Sequence, residues 1–145
     1  MYTFFLHLHH YLSYLLIAVI VFNLVRAGIG FWGNKSWNAT DNFASLVLTI
    51  LTDVQVLFGL ILYLFLSPIT KAAFANFGMA MQNSALRFYL VEHIATMLIA
   101  LALFHIGRSK AKKASLHSAK HKFSLIFTAI GTLILLLRLP YDRMF

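Results

Sequence analysis

An all-α integral membrane protein, built as a bundle of four transmembrane helices running up, down, up and down, is the fold class this sequence predicts. Three observations carry that reading. Of the 145 residues 61% are hydrophobic and only 11% charged, with a mean hydropathy of +0.81, a composition that a water-soluble domain of this length has no way to hide. The apolar residues fall into long continuous runs rather than the short alternating segments of a membrane β-barrel. The runs number four, and the connections between them are short, which favours antiparallel neighbours.

The first run, Phe4 to Val25, has no basic residue before it and no small-residue cleavage site after it, so it reads as a retained span rather than a secretory signal. The second runs from Phe43 to Leu66, the third from Leu86 to Ile106 and the fourth from Phe123 to Leu139. Each is near the roughly 20 residues that cross a hydrocarbon core of about 30 Å. The connections are Arg26 to Asn42, Ser67 to Ala85 and Gly107 to Lys122, and residues 1–145 form a single transmembrane domain.

The formal charge of +8 does not indicate nucleic acid, because the basic residues concentrate in one connection, as membrane topology requires. Lys71, Arg87, Arg138 and Arg143 fall on one side of the membrane. Arg26, Lys35, Arg108, Lys110, Lys112, Lys113, Lys120 and Lys122 fall on the other. The positive-inside rule therefore puts the 107–122 loop in the cytoplasm and both termini outside. The lipid bilayer is the expected first partner, and no nucleic acid is expected. Trp32, Trp37 and Tyr141 near span ends suit an aromatic belt.

Cysteine is absent, which excludes disulfides, covalent c-type haem, thiolate-held iron–sulfur clusters and a cysteine nucleophile. The chain also lacks a Gly-rich phosphate loop, an HExxH zinc pair and a Ser-His-Asp arrangement. The chemistry must come from the few ionisable residues inside the spans, each of which is costly there and needs a partner.

At the outer end His7, His9 and His10 lie in the first turns of span 1, and Glu92 and His93 lie about two turns into span 3. At 1.5 Å per residue, His9 is roughly 8 Å and His93 roughly 10 Å below the start of its span. Two histidines at one depth on parallel helices can offer an imidazole to each face of a haem iron, an arrangement that suits an electron carrier. His10 is the rival ligand on span 1, about 100° around the helix from His9. Arg87 and Arg138 lie at the same level. Their guanidinium forks match haem propionates, although Glu92 is an alternative partner for either, and snorkelling to the bilayer edge is an alternative role for both. Interfacial hydrogen bonding is likewise the plainer role for the histidines.

A second polar set belongs to the cytoplasmic half: Asp53 and Gln55 in span 2, His105 near the end of span 3, and His117 and His121 before span 4. Asp53 lies about 15 Å along its helix from Phe43. It needs a partner, with Arg26 and His105 the first candidates, and a relay through Asp53, Gln55 and His105 is the functional alternative. A second haem between His105 and His121 is the weaker alternative. In span 2 Gly59 lets a neighbouring helix or a flat ring approach closely. Met97, one turn beyond His93, reads as packing rather than as an iron ligand.

The chain resembles short bacterial four-span membrane proteins of the cytochrome b-like type, almost from end to end. The likeness rests on His9 with Tyr14, Asp41, Asp53-Val54-Gln55 followed by Gly59 and Tyr63, Leu86-Arg87-Phe88 leading to Glu92-His93, Gly107-Arg108-Ser109-Lys110, and Leu139-Pro140-Tyr141. The resemblance implies b-type haem and electron transfer in a bacterial cytoplasmic membrane. It marks His9, Gln55, Arg87, Glu92 and His93 as the shared residues. In that family a histidine often stands where this chain has Asp53, and another where it has Arg108, so a second metal site on that side is not implied here.

Together these readings predict one haem b with His9 and His93 as axial ligands. A membrane redox partner, a quinone or further copies of the chain would carry the electron onward, since one haem near one face does not span the bilayer. The alternatives are a cofactor-free structural subunit of a membrane complex and a small proton or solute transporter that uses Asp53. No reaction of the chain's own is indicated.

Overall fold

Residues 1–144 of the chain are described by a computed structural model. Among them four helices are long and apolar enough to cross a membrane: α1 (Tyr2–Trp32), α2 (Ala39–Leu66), α5 (Ser84–Lys113) and α6 (His117–Leu137). Two short helices, α3 (Pro68–Ala75) and α4 (Phe77–Gln82), join α2 to α5, and α7 (Tyr141–Met144) follows α6. The described residues contain no strand. The fold is an all-α four-helix membrane bundle.

Every long helix extends past the apolar run that marked it, at one end or both, although α6 stops at Leu137, two residues before the end of its run. α1 continues through Arg26, Gly28 and Gly30 to Trp32, where the Gly33 N–H turns back to the Ile29 carbonyl at 2.9 Å. Asn34 adopts a φ of 48°, a left-handed conformation that asparagine tolerates better than most residues. α2 starts four residues earlier than Phe43 because Asn38 and Asp41 form a reciprocal capping box. Arg26 joins that cap, with Nη2 2.8 Å from Asp41 Oδ1, so Arg26 pairs with Asp41 and not with Asp53.

The two largest departures from expectation lie in the connections. The connection after α2 carries two short helices of its own, α3 and α4. Ser67, Asn76 and Asn83 each accept backbone N–H bonds at the start of α3, α4 and α5, and Pro68 takes the first turn of α3, where its missing N–H costs nothing. The basic stretch 107–122 is not a loop of that length either. α5 runs through Lys113 and α6 begins at His117, leaving three residues between them. Lys120 closes this turn by donating to the Ala111 carbonyl at 2.9 Å, satisfying an end of α5 that no further helical N–H reaches.

Around the bundle α1 lies beside α2 and α6, and α5 lies beside the same two helices. α1 and α5 are therefore diagonal and parallel, and side chains from each can meet on the bundle axis. Leu16, Ile20, Leu48, Ala100, Phe104 and Leu135 form the central core. Lipid gives no hydrophobic drive for helix association, so close backbone approach must supply it. Gly107 lies so near α6 that an added Cβ would fall 2.5 Å from Phe127 Cβ, and one on Gly131 would fall 2.6 Å from the Phe104 ring. Asn23, buried in α1, ties that helix to α2 by donating to the Ala44 carbonyl at 3.0 Å.

α2 and α5 each contain a π turn at the end of the bundle that holds the N-terminus, at Leu62–Leu66 and Phe88–Glu92. Such turns add a residue to the helical repeat and re-aim the side chains beyond them. In α5 the next side chain along the helix is His93.

Candidate functional site: a histidine-lined cavity

Between the four helices, at the end of the bundle where α1 begins and α6 ends, lies a cavity of about 1390 Å³ with its open mouth included. The part of it that a water-sized sphere can occupy is about 180 Å³. Its wall is largely apolar, and the polar groups in it converge from every side: His9 and His10 from α1, Gln55 and Tyr63 from α2, His93 from α5, and Arg143 from α7. His9 and His93 therefore face one space from diagonal helices.

His9 is seated against α2 by Gly59, where an added Cβ would come 3.1 Å from its Cε1. The flat ring that Gly59 admits is this imidazole. Gln55 fixes the same stretch of α1 by donating Nε2 to the His9 carbonyl at 2.9 Å. His9 Nδ1 and Gln55 Oε1 are both buried and neither meets a hydrogen-bonding group of the protein. Buried polar atoms without partners are uncommon, and here two of them adjoin one cavity.

His93 is held from behind. Its Nδ1 lies 2.9 Å from the Arg138 carbonyl, and since a carbonyl only accepts, Nδ1 is the donor and Nε2 is left free as the basic nitrogen. A backbone carbonyl on the remote nitrogen is the usual support of a metal-ligating histidine, fixing tautomer and ring plane. Phe88 stacks on the same ring at 5.8 Å, and Tyr63 ties the two π turns together by donating to the Leu90 carbonyl at 2.8 Å.

The expected arginines are elsewhere. Glu92 accepts from Arg87 Nε at 2.8 Å and from Arg138 Nε at 2.9 Å, and neither arginine lines the cavity. The reason is proximity: the Glu92 carboxylate, about one turn of chain from Arg87, gives one oxygen to each guanidinium. The cation that does reach the cavity wall is Arg143, with its guanidinium 4.9 Å from the Tyr89 ring. Sequence reading overlooked Arg143 because it lies beyond the last span. Pro140 and α7 fold the chain back over the cavity, and the Tyr14 hydroxyl holds them there by donating to the Met144 carbonyl. His10 borders the cavity too, but its ring stands edge-on to Tyr14 at 5.0 Å.

The second polar set is dispersed. Gln55 points into the cavity, while Asp53 and His105 meet on the outside of the bundle with Nε2 2.7 Å from Oδ1. Two positions apart on a helix is about 200° around it, so Gln55 and Asp53 face opposite ways and form no continuous line with His105. His121 is fully buried against Gly30 and the Trp37 ring, away from His105, and no group of three or more His, Asp or Glu with metal-binding geometry occurs among the described residues.

Two imidazoles thus border one largely apolar cavity, one of them oriented through its remote nitrogen, with a cation at the rim. No family model, no curated protein and no solved structure matches the chain, so the reading of this site rests on its own residues.

Proposed function

We propose that the cavity holds one haem b with His9 and His93 as axial ligands, and that the protein passes electrons within a bacterial cytoplasmic membrane as a cytochrome b-like subunit. The single observation that supports this reading most is the pair of histidines on diagonal, parallel helices bordering one largely apolar cavity. An iron porphyrin held by two imidazoles exchanges one electron and keeps no position open for a substrate, which suits carriage rather than catalysis.

The chain's own residues then have distinct tasks. The Arg138 carbonyl holds His93 in the tautomer that frees Nε2. Gly59 and Gln55 set the position of His9. Arg143, at the rim of the cavity, would pair with a propionate. Glu92 pairs with both Arg87 and Arg138 and so anchors the segment whose carbonyl His93 uses. The apolar wall excludes water. Both termini lie outside in this reading, so the haem is near the outer face and a quinone or a membrane redox protein completes the path.

A reduced-minus-oxidised visible spectrum of the purified protein, expressed with ample haem, tests this. A sharp b-type band that disappears in both His9→Ala and His93→Ala is expected. A colourless, folded, haem-replete preparation would overturn the proposal in favour of a cofactor-free subunit.

A further inference from the structure

The pair between Asp53 and His105 is out of place for a helix facing lipid. Both side chains are about half exposed, at 51% and 47%, on the outside of the bundle. Along α2 Asp53 is 12 residues, or about 18 Å, deeper than Asp41, which pairs with Arg26 at the helix start. Ionisable side chains at such depth are expected to face protein or a water-filled space, not hydrocarbon. Asp53 Oδ2 and His105 Nδ1 bond to nothing among the described residues, so the pair retains one acceptor and one ring nitrogen directed away from its own contact.

The surface around the pair is patterned in a complementary way. Phe43, Ile50, Leu57 and Leu64 form an exposed ridge on α2 at intervals of seven residues. On the neighbouring α5, Ala95, Ala102 and Ser109 are exposed at the same interval and form a shallow line of small residues. Residues seven apart return to nearly the same side of a helix, the repeat of helices that pack at a shallow angle. Small residues are what permits close helix approach in a membrane.

We infer that this face is the contact between two copies of the chain, related by a two-fold axis that brings Asp53 of each copy to His105 of the other and the α2 ridge of each into the small-residue line of the other. A dyad with one acid and one base is self-complementary under such an axis, and so is a ridge beside a groove. The contact takes the four ionisable groups out of lipid without any further partner, and it is independent of whether the cavity binds haem.

The chain has no cysteine, which makes cross-linking unambiguous. In liposomes and in native membranes, full chains carrying Ala102→Cys mixed with full chains carrying Leu57→Cys should cross-link to a species of twice the mass, because the contact sets the line of each copy against the ridge of the other. Leu133→Cys, exposed on α6, should remain a monomer. Asp53→Asn and His105→Gln should each raise the dissociation constant, read by single-molecule counting of labelled chains in liposomes, by roughly tenfold. Four results overturn the inference: a mixture of Ala102→Cys and Leu57→Cys chains that stays monomeric, Leu133→Cys that cross-links equally, cross-linking of Ala102→Cys to a different protein, or dimers indifferent to both polar substitutions.

Discussion

Gly59 separates the stability of the bundle from the fitness of its site. Replacing it with alanine puts a methyl carbon 3.1 Å from His9 Cε1, where carbon atoms in contact are comfortable at about 3.5 to 4.0 Å. The ring must therefore give by about 0.4 to 0.9 Å. It has room to do so, because its other side is the cavity. The empty chain should thus be indifferent or slightly more stable, since alanine is favoured over glycine in a helix by up to about 1 kcal/mol. An axial ligand displaced by that distance is a different matter, because metal affinity typically falls about 10- to 100-fold when the groups that orient a ligand are disturbed. Gly59→Ala should keep the thermal midpoint of the haem-free protein in detergent and lose roughly tenfold in haem affinity, measured by titrating haem and following the Soret band. Gly78→Ala is the control, since a Cβ there meets nothing within 4 Å. Unchanged haem affinity in Gly59→Ala, or equal losses in both variants, would refute the seating of the ligand on Gly59.

Other substitutions test the surrounding structure. Gly107→Ala should destabilise the bundle by about 1 to 3 kcal/mol in a detergent unfolding titration, because its methyl would meet Phe127 Cβ at 2.5 Å and no rotamer change moves a Cβ. A variant as stable as the parent would mean that α5 and α6 are not so close. Arg143→Gln should weaken haem binding by roughly two- to fivefold, a rim charge being screened by water, while Lys71→Gln, exposed on α3 and absent from the cavity wall, should not. Equal effects would remove Arg143 from the site.

The four spans and their order were legible because continuous apolar runs of near 20 residues match the thickness of a bilayer and little else. Their ends were not, since a paired charge such as Arg26 with Asp41 lets a helix continue where an unpaired one would stop it. The caps at Ser67, Asn76 and Asn83 were present in the sequence as start signals, but each lies in a segment too short and too mixed in polarity to announce a helix. Depth along parallel helices was enough to bring His9 and His93 to one level. It was also enough to suggest His105 for Asp53. What depth cannot supply is direction around the helix. That Arg87 and Arg138 turn to Glu92, that Asp53 faces outward while Gln55 faces inward, and that Arg143 returns over the cavity all depend on packing. The π turns before His93 and after Gly59 leave no pattern in residue type at all, although they set the phase in which both walls of the cavity are presented.

The central claim is that two imidazoles share one iron. Near-infrared magnetic circular dichroism of the oxidised, haem-loaded protein reads the axial ligands directly. Bis-imidazole, low-spin iron in the parent protein, with a change of ligand class in both His9→Ala and His93→Ala, is the predicted result. A parent spectrum of any other ligand pair, or one that survives either substitution, would contradict it.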